Sequence, residues 1–257
     1  MRLHRVIPCP AMENIYTVLD IIPTSSADCT KKIRFSAVLG LMQDAAYEHA
    51  RQLGAGYEVL IAQHRAFVLS RIQIKACSEL PDWGERITLQ TWPRSSDKLF
   101  CYRDFELSRE GREPFLKATT SWLIIDTVAR HPVRPHEYLT QLTPRDMRVL
   151  DEEAPRRLGW NDATVPFDIR HARASDLDPN GHVNNTRYVD WITDAIAERH
   201  GVEARIDSLC INYLAEVRMS EAVKLGIAEE HDGEIVVQGE TDRHSFAARV
   251  RLAGAGI

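Results

Sequence analysis

The sequence predicts an α+β protein built from two copies of one unit, each a largely antiparallel sheet packed on one long helix. Three observations carry this. An offset of 150 residues superposes the apolar stripe Val38, Leu41, Met42, Ala45, Ala46 on Tyr188, Trp191, Ile192, Ala195, Ile196. Both stripes have the i, i+3, i+4, i+7, i+8 spacing of a helix that buries one face. After each stripe come about four short strand-like runs, too close together for the long crossovers that parallel strands need. The chain has 257 residues. Single domains most often run to about 100–150 residues, so the length suits two.

Each element has its own signal. Ile15-Tyr16-Thr17-Val18 and Val165-Pro166-Phe167-Asp168 are short strand-like pieces at the same offset, as are the pairs Asp28 with Asp178 and Ile33 with Val183. Gly54 and Gly201 follow the two helices as stop signals. The strand-like runs of the first half are Phe67–Ile74, Ile87–Trp92, Cys101–Leu107 and Ala118–Asp126. Those of the second are Ser208–Leu214, Val223–Ala228, Ile235–Gly239 and Phe246–Leu252. Turn signals at Asp82-Trp83-Gly84, Arg109-Glu110-Gly111 and His231-Asp232-Gly233 separate them. The charged stretch Pro144 to Pro155 reads as a surface linker with room for a short helix. The expected division is an N-terminal domain at 1–143, a linker at 144–163 and a C-terminal domain at 164–257.

Composition narrows the function. With 44% hydrophobic and 27% charged residues, the chain is an ordinary globular protein, not a disordered or fibrous one. No apolar run approaches the ~18–20 residues that span a bilayer, and the N-terminus has no apolar signal core. A net charge of −5 argues against nonspecific nucleic-acid binding, which needs a concentrated basic surface. Up to Thr140 the balance is +2 and beyond it −7, so an acidic partner is expected on the first half. Five cysteines, Cys9, Cys29, Cys77, Cys101 and Cys210, have no CxxC among them. They read as reduced thiols of a cytoplasmic protein rather than a disulfide framework or zinc site.

The segment 176–185 concentrates the chemistry. It holds Asp176 and Asp178, Asn180, Asn184 and Asn185, and His182, just before the second helix. Asp178-Pro179-Asn180-Gly181 is a favourable type I turn, and Asn185 or Thr186 suits a helix N-cap. The segment therefore also reads as a turn plus a cap. The first copy has Asp28, Thr30, Lys32, Arg34 and Phe35 at the matching places, without the histidine or the asparagines. Polar, titratable residues present in only one copy point to a function kept in one half. A helix N-terminus offers unpaired N–H groups and partial positive charge to a developing oxyanion, which suits attack of water on an acyl carbonyl.

Asp178-x-Asn180-x-His182-Val183-Asn184-Asn185, followed by Tyr188 and Trp191, resembles the catalytic segment of acyl-acyl carrier protein (acyl-ACP) thioesterases, bacterial and plastid enzymes with a double hotdog fold. The first half resembles the family in Leu41-Met42-Gln43-Asp44-Ala45-Ala46, Glu48-His49-Ala50, Phe67-Val68-Leu69-Ser70-Arg71, Trp83-Gly84-Glu85, Thr91-Trp92-Pro93, Arg103-Asp104-Phe105, Ala118-Thr119-Thr120-Ser121-Trp122 and Pro132-Val133-Arg134-Pro135. The resemblance covers roughly residues 15–220, and the last part matches mainly by strand pattern. It implies a tandem hotdog and hydrolysis of fatty acyl-ACP to a free fatty acid. It also implies Glu216, in Asn212-Tyr213-Leu214-Ala215-Glu216-Val217, as the residue completing a site of Asp178, Asn180, His182 and Glu216. Plant relatives commonly have a cysteine after that glutamate; Val217 stands here, so a thiol nucleophile is excluded at that place.

The expected chemistry is a water activated by Glu216 or Asp178, less readily a carboxylate nucleophile through a mixed anhydride. His182 orients or activates the water, Asn180 positions it or the thioester, and N–H groups near Asn185 hold the oxyanion. Asn184, Asn185, Val38, Leu41, Met42 and Trp92 are candidate substrate-binding residues; the last four, with Ala45, Phe67 and Leu69, are equally ordinary core residues. The clusters Lys31, Lys32, Arg34 and Arg145, Arg148, Arg156, Arg157 are candidate docking points for the acidic carrier, or solvated faces. No Gly-x-Ser-x-Gly elbow, HExxH zinc motif or phosphate-binding glycine loop occurs, so no metal or cofactor is expected. Two hotdogs in one chain allow a monomer or a homodimer. The alternatives are an acyl-CoA thioesterase of the same fold, a non-catalytic acyl-binding hotdog protein and, with less support, a hotdog dehydratase.

Overall fold

A computed structural model describes residues 5–6, 14–135, 144–145, 147–230 and 232–254. The chain divides into two compact units, Met1–Ser70 with Ala76–Pro155, and Arg71–Lys75 with Arg156–Ile257.

In the first unit the strands are β1 (Arg5–Val6), β2 (Tyr16–Ile21), β3 (Arg65–Ala76), β4 (Arg86–Pro93), β5 (Phe100–Arg109), β6 (Pro114–Asp126) and β7 (Pro132–Val133). Their order is β1-β2-β4-β5-β6-β3, with β7 on the side of β6. Helix α1 (Phe35–Gln52) buries Phe35, Val38, Leu39, Met42, Ala45, Ala46 and His49, the face that the apolar spacing predicts. A short helix α2 (Tyr57–Ala62) follows; its two turns are too brief for a periodicity to announce them.

The second unit repeats the plan. Its strands are β8 (Val165–His171), β9 (Ile206–Tyr213), β10 (Ala222–Glu229), β11 (Ile235–Glu240) and β12 (His244–Leu252), in the order β9-β12-β11-β10-β8. The stretch Arg71–Lys75 of β3, which belongs to this unit, pairs antiparallel with β9, Arg71 opposite Asn212 and Lys75 opposite Ser208. Helix α3 (Asn185–His200) buries Tyr188, Val189, Trp191, Ile192, Ala195 and Ile196. Strand β10 alternates as a strand with one dry face should: Val223, Leu225 and Ile227 are buried, Ala222 and Lys224 exposed. Each unit is thus a long helix lying on an antiparallel sheet, the hotdog architecture that the resemblance implies.

The linker differs from a spacer. Its first part packs in the first unit, where Val149 and Leu150 form a small core with Trp92, and Trp92 Nε1 donates to the Met147 carbonyl at 3.0 Å. Its second part lies in the second unit, tied down by side chains buried on β9 and β11. Asn212 accepts from Leu158 N at 2.9 Å and donates to the Arg156 carbonyl at 2.9 Å. Gln238 accepts from Asn161 N at 3.2 Å and donates to the Asn161 carbonyl at 2.7 Å. Trp160 stacks flat on His244, ring centres 3.6 Å apart. A sheet with a helix on one face needs a cover on the other, and linker segments supply it. For that reason β11 is buried from Ile235 to Gly239 instead of alternating. No helix among the described residues is long and apolar enough to cross a membrane.

Candidate active site

The polar segment forms a tight turn after the one-turn 3-10 helix Ala174–Asp176. Gly181 N donates to the Asp178 carbonyl at 3.0 Å, closing a β-turn. Asp178 N donates to the His182 carbonyl at 2.8 Å. The Asp178 carboxylate is turned inward on its own loop: Oδ1 accepts from Asn180 N at 2.8 Å and His182 N at 3.2 Å, and Oδ2 lies 3.4 Å from Asn180 Nδ2. Gly181 has φ 78°, a left-handed conformation that costs glycine little.

Beyond the turn, Val183 N donates to the Val217 carbonyl at 2.8 Å, and His182 pairs as a single antiparallel bridge with Arg218. This short pairing lays the loop beside the segment after β9. It brings together two residues far apart in the chain, His182 and Glu216. His182 Nε2 is 3.2 Å from Glu216 Oε2, the side chains 24% and 34% exposed, so the pair is sheltered yet open to a substrate. Arg218 Nη2 is 3.9 Å from the same carboxylate oxygen. Arg243 Nη2 donates to the Glu216 carbonyl at 3.2 Å. Arg218 and Arg243 carry no sequence signal: their proximity depends on the bridge and on a second turn between β11 and β12.

The helix start differs from expectation by one residue. Asn184, not Asn185 or Thr186, is the N-cap, and its Oδ1 accepts from Thr186 N and Thr186 Oγ1, both at 2.9 Å. Asn185 is the first helical residue, and its carbonyl accepts from Tyr213 Oη at 3.2 Å. Thr186 N is held by the cap, and Arg187 N donates to the Asn184 carbonyl at 2.9 Å. The Asn185 N–H is therefore the first-turn donor left without an acceptor among the described residues. Beneath the loop, Tyr188 packs edge-on against Trp191, with ring centres 5.1 Å apart. It meets Tyr213 in the same way at 5.5 Å and Phe246 at 5.3 Å, the geometry that aromatic quadrupoles favour. Burial, with the charges of Glu221, Asp178 and Glu216 adding to it, pushes the Tyr188 hydroxyl up, and burial does the same to Tyr213. Both phenols stay neutral and serve as a rigid floor.

The structure therefore brings His182 and Glu216 together, seats Asn180 exposed at the turn tip and places Asn184 in the cap. In the first unit Val38 and Met42 are buried on the inner face of α1 and Leu41 is half-buried at its edge. Trp92 faces away from that helix. Its neighbour Thr91 points to the helix side, where it meets Arg103 and through it His49, and Trp92 alternates into the core under Val149 and Leu150. The expected docking clusters are largely engaged. Lys32 pairs with Asp82 at 2.9 Å and Glu79 at 3.3 Å, Arg156 with Glu234 at 2.7 Å, and Arg145 lies over the Trp92 ring. Three carboxylates, Glu230, Asp232 and Glu234, converge elsewhere in the second unit, and Arg249, Arg251 and Arg156 take them in ion pairs.

Comparison with known proteins bears on the family and the fold. Residues 14–142 match the acyl-ACP thioesterase N-terminal domain and residues 165–254 the corresponding C-terminal domain. The chloroplastic palmitoyl-acyl carrier protein thioesterase of Gossypium hirsutum is 28% identical over 195 residues, 69% of this chain and 46% of the relative. The chloroplastic dodecanoyl-[acyl-carrier-protein] hydrolase of Cinnamomum camphora is 28% identical over 203 residues, 73% of this chain and 52% of the relative. The chain thus spans about half the length of these relatives. Among solved structures, an acyl-ACP thioesterase from Bacteroides thetaiotaomicron superposes with a TM-score of 0.85 at 22% identity, covering 93% of this chain and 98% of the other. The 12:0-ACP thioesterase from Umbellularia californica superposes with a TM-score of 0.82 at 18% identity, covering 95% and 99%. The two family matches together cover most of the chain, and the protein belongs to the acyl-ACP thioesterase family.

Proposed function

We propose that this protein hydrolyses the thioester of a fatty acyl-ACP, releasing a fatty acid and the carrier thiol, with Glu216 as general base. The observation that carries this is the 3.2 Å pairing of His182 Nε2 with Glu216 Oε2 beside the start of α3. Glu216 takes a proton from water, and the hydroxide attacks the acyl carbon. The carbonyl oxygen, now negative, is received by the Asn185 N–H and by the Asn180 carboxamide at the turn tip. Collapse breaks the carbon–sulfur bond, and the proton passes through His182 to the departing thiolate. Asp178 has a different part: two backbone N–H bonds engage its Oδ1, and it holds the turn on which Asn180 and His182 ride. Val38, Leu41 and Met42 are assigned to the acyl chain, Asn184 and Asn185 to the helix start that receives the carbonyl; Trp92 is left to its linker-covered core. The carrier is an acidic protein, and the cytoplasm is the assigned compartment; the plant relatives are named as chloroplastic.

The test is release of free fatty acid from a panel of acyl-ACPs, C8 to C18, by wild type and by Glu216→Gln and His182→Ala. Turnover by wild type and its loss in both folded variants is the expected result. Equal turnover of the same acyl group on CoA would move the substrate assignment to the CoA ester, and no turnover on any thioester would leave an acyl-binding protein.

A further inference from the structure

The first unit buries a cation with no counter-charge among the described residues. Arg103, on β5, is 8% exposed. Its Nη1 reaches His49 Nδ1 at 3.1 Å and Thr91 Oγ1 at 3.2 Å, both neutral partners. Burial holds His49 down to about 3, so the imidazole is uncharged at neutral pH. The Cys101 thiol nearby is pushed up to about 12 by burial and is neutral as well. Asp104, next in sequence, points to the other face of the sheet, where it meets Arg94, Thr119 and Val149 N. No carboxylate among the described residues reaches Arg103, although burial lowers it only to about 10 and it stays charged. Burying an isolated charge is unfavourable unless it is paired.

The free edge of the guanidinium indicates what would pair it. Nε and Nη2 of Arg103 have no acceptor among the described residues, and neither is sealed from solvent. These two atoms form the side-on fork that binds both oxygens of a carboxylate. The same chain shows the arrangement at Arg51, whose Nε and Nη2 take Glu48 Oε2 and Oε1 at 2.8 and 2.6 Å. The region mixes apolar and polar groups: Ala45, Ala46 and Met42 lie on the buried helix face that carries His49, Phe105 follows two residues on along β5, the Tyr16 ring stacks on His49 at 5.5 Å, and the buried Thr120 stands opposite Arg103 on β6. We infer that Arg103, steadied by His49 and Thr91, is a binding site for the carboxylate of an amphiphilic monoacid such as a free fatty acid. One negative charge balances one guanidinium, whereas a phosphate dianion would overcharge it. The inference needs no hydrolysis at Glu216, although the site shares the buried face of α1 that the proposed function gives to the acyl chain.

Calorimetry and thermal unfolding of the full chain with octanoate, octan-1-ol, acetate and chloride test it. Octanoate is expected to bind at one site and raise Tm, with octanol at least about tenfold weaker because it lacks the charge. Arg103→Met is expected to abolish that preference, and Arg103→Lys to keep part of it. Glu216→Gln, lying in the other unit, should bind octanoate as wild type does, so loss of hydrolysis and loss of this site are read separately. If Arg103→Met does not fold, carboxyl-labelled octanoate on wild type decides: the bound carboxyl should titrate about one unit or more below the free acid. Octanol binding as tightly as octanoate, Arg103→Met keeping the preference, or an unshifted carboxyl titration would overturn the site. Chloride or acetate giving the full rise in Tm would overturn its assignment to a tailed acid.

Discussion

The turn at residues 28–34 and the turn at residues 178–184 have the same backbone and different side chains. In both, an aspartate Oδ1 accepts the N–H groups two and four residues on, at 2.8 and 3.2 Å in each copy. In both, the fourth residue of the turn is left-handed, Lys31 at φ 71° and Gly181 at φ 78°. A glutamate of the neighbouring hairpin closes each copy, Glu85 accepting from Asp82 N at 2.7 Å and Glu221 from Arg218 N at 2.6 Å. The copies part at the residue after the left-handed one. Lys32 is locked between Asp82 and Glu79, while His182 faces Glu216. An ammonium fixed between two carboxylates has no basic lone pair to offer; an imidazole beside a carboxylate has two ring nitrogens through which a proton can pass. The aspartate and its two backbone hydrogen bonds are common to both turns. The proposed function assigns the chemistry to side chains that only the second copy carries.

The largest expected effect is on turnover. Glu216→Gln should lower kcat by about 10²–10⁴-fold, whereas Lys32→Met in the first turn should leave it within about twofold; equal losses measured on acyl-ACP would break the comparison.

Next comes acid sensitivity. Burial holds His49 down to about 3 in the folded first unit, and the corresponding residue of α3 is the exposed Arg199. The unfolded chain takes up a proton near pH 6.5 and the folded one does not, so stability is complete above pH 6.5 and is lost as the pH falls towards 3. Between pH 6.5 and 5 the loss is about 2 kcal/mol, as one unit is worth about 1.4 kcal/mol. Urea unfolding at the two pH values reads it, and His49→Gln should flatten the difference.

Smaller effects sharpen the scaffold assignment. Asp28→Ala and Asp178→Ala should each cost about 1 kcal/mol of stability, since each removes the same two backbone hydrogen bonds. Asp178→Asn, whose carbonyl oxygen accepts the same bonds, should keep hydrolysis within about tenfold; a loss as deep as that of Glu216→Gln would make Asp178 a reacting group. Smallest is the backbone itself. Gly181→Ala should cost about 1 kcal/mol and Lys31→Gly should gain up to about 0.5 kcal/mol, because only glycine is relaxed at positive φ; thermal unfolding measures both.

Much of the fold was legible because local patterning repeats. The two helical stripes, the strand runs and the Asp178–Gly181 turn all follow from residues within one element's length, and the repeat offset holds in three dimensions through the two turns. The N-cap moved by one residue because Asn184 and Asn185 are equally able to cap, and the approach of the chain to the helix selects between them. The short helix α2 and the linker's role were not legible: two turns make no period, and a cover for a sheet face leaves its mark on the sheet, in the unbroken burial of β11, not on itself.

For the site, residue types alone placed His182, Asn180 and Asp178 on one loop, and the contrast with the first copy singled out His182 and Asn180 as the candidates that copy lacks. Composition and spacing determined that the chain folds as two helix-on-sheet repeats, since the periodicity of apolar residues is a local property of the chain. Only the tertiary structure decided that Glu216 meets His182, that Asp178 turns inward on its loop, that Trp92 faces the linker and that Arg103 is buried with no carboxylate partner among the described residues. Each depends on which segments lie side by side once the sheets close, and hydrogen-bond register between distant stretches of chain leaves no trace in the order of the letters.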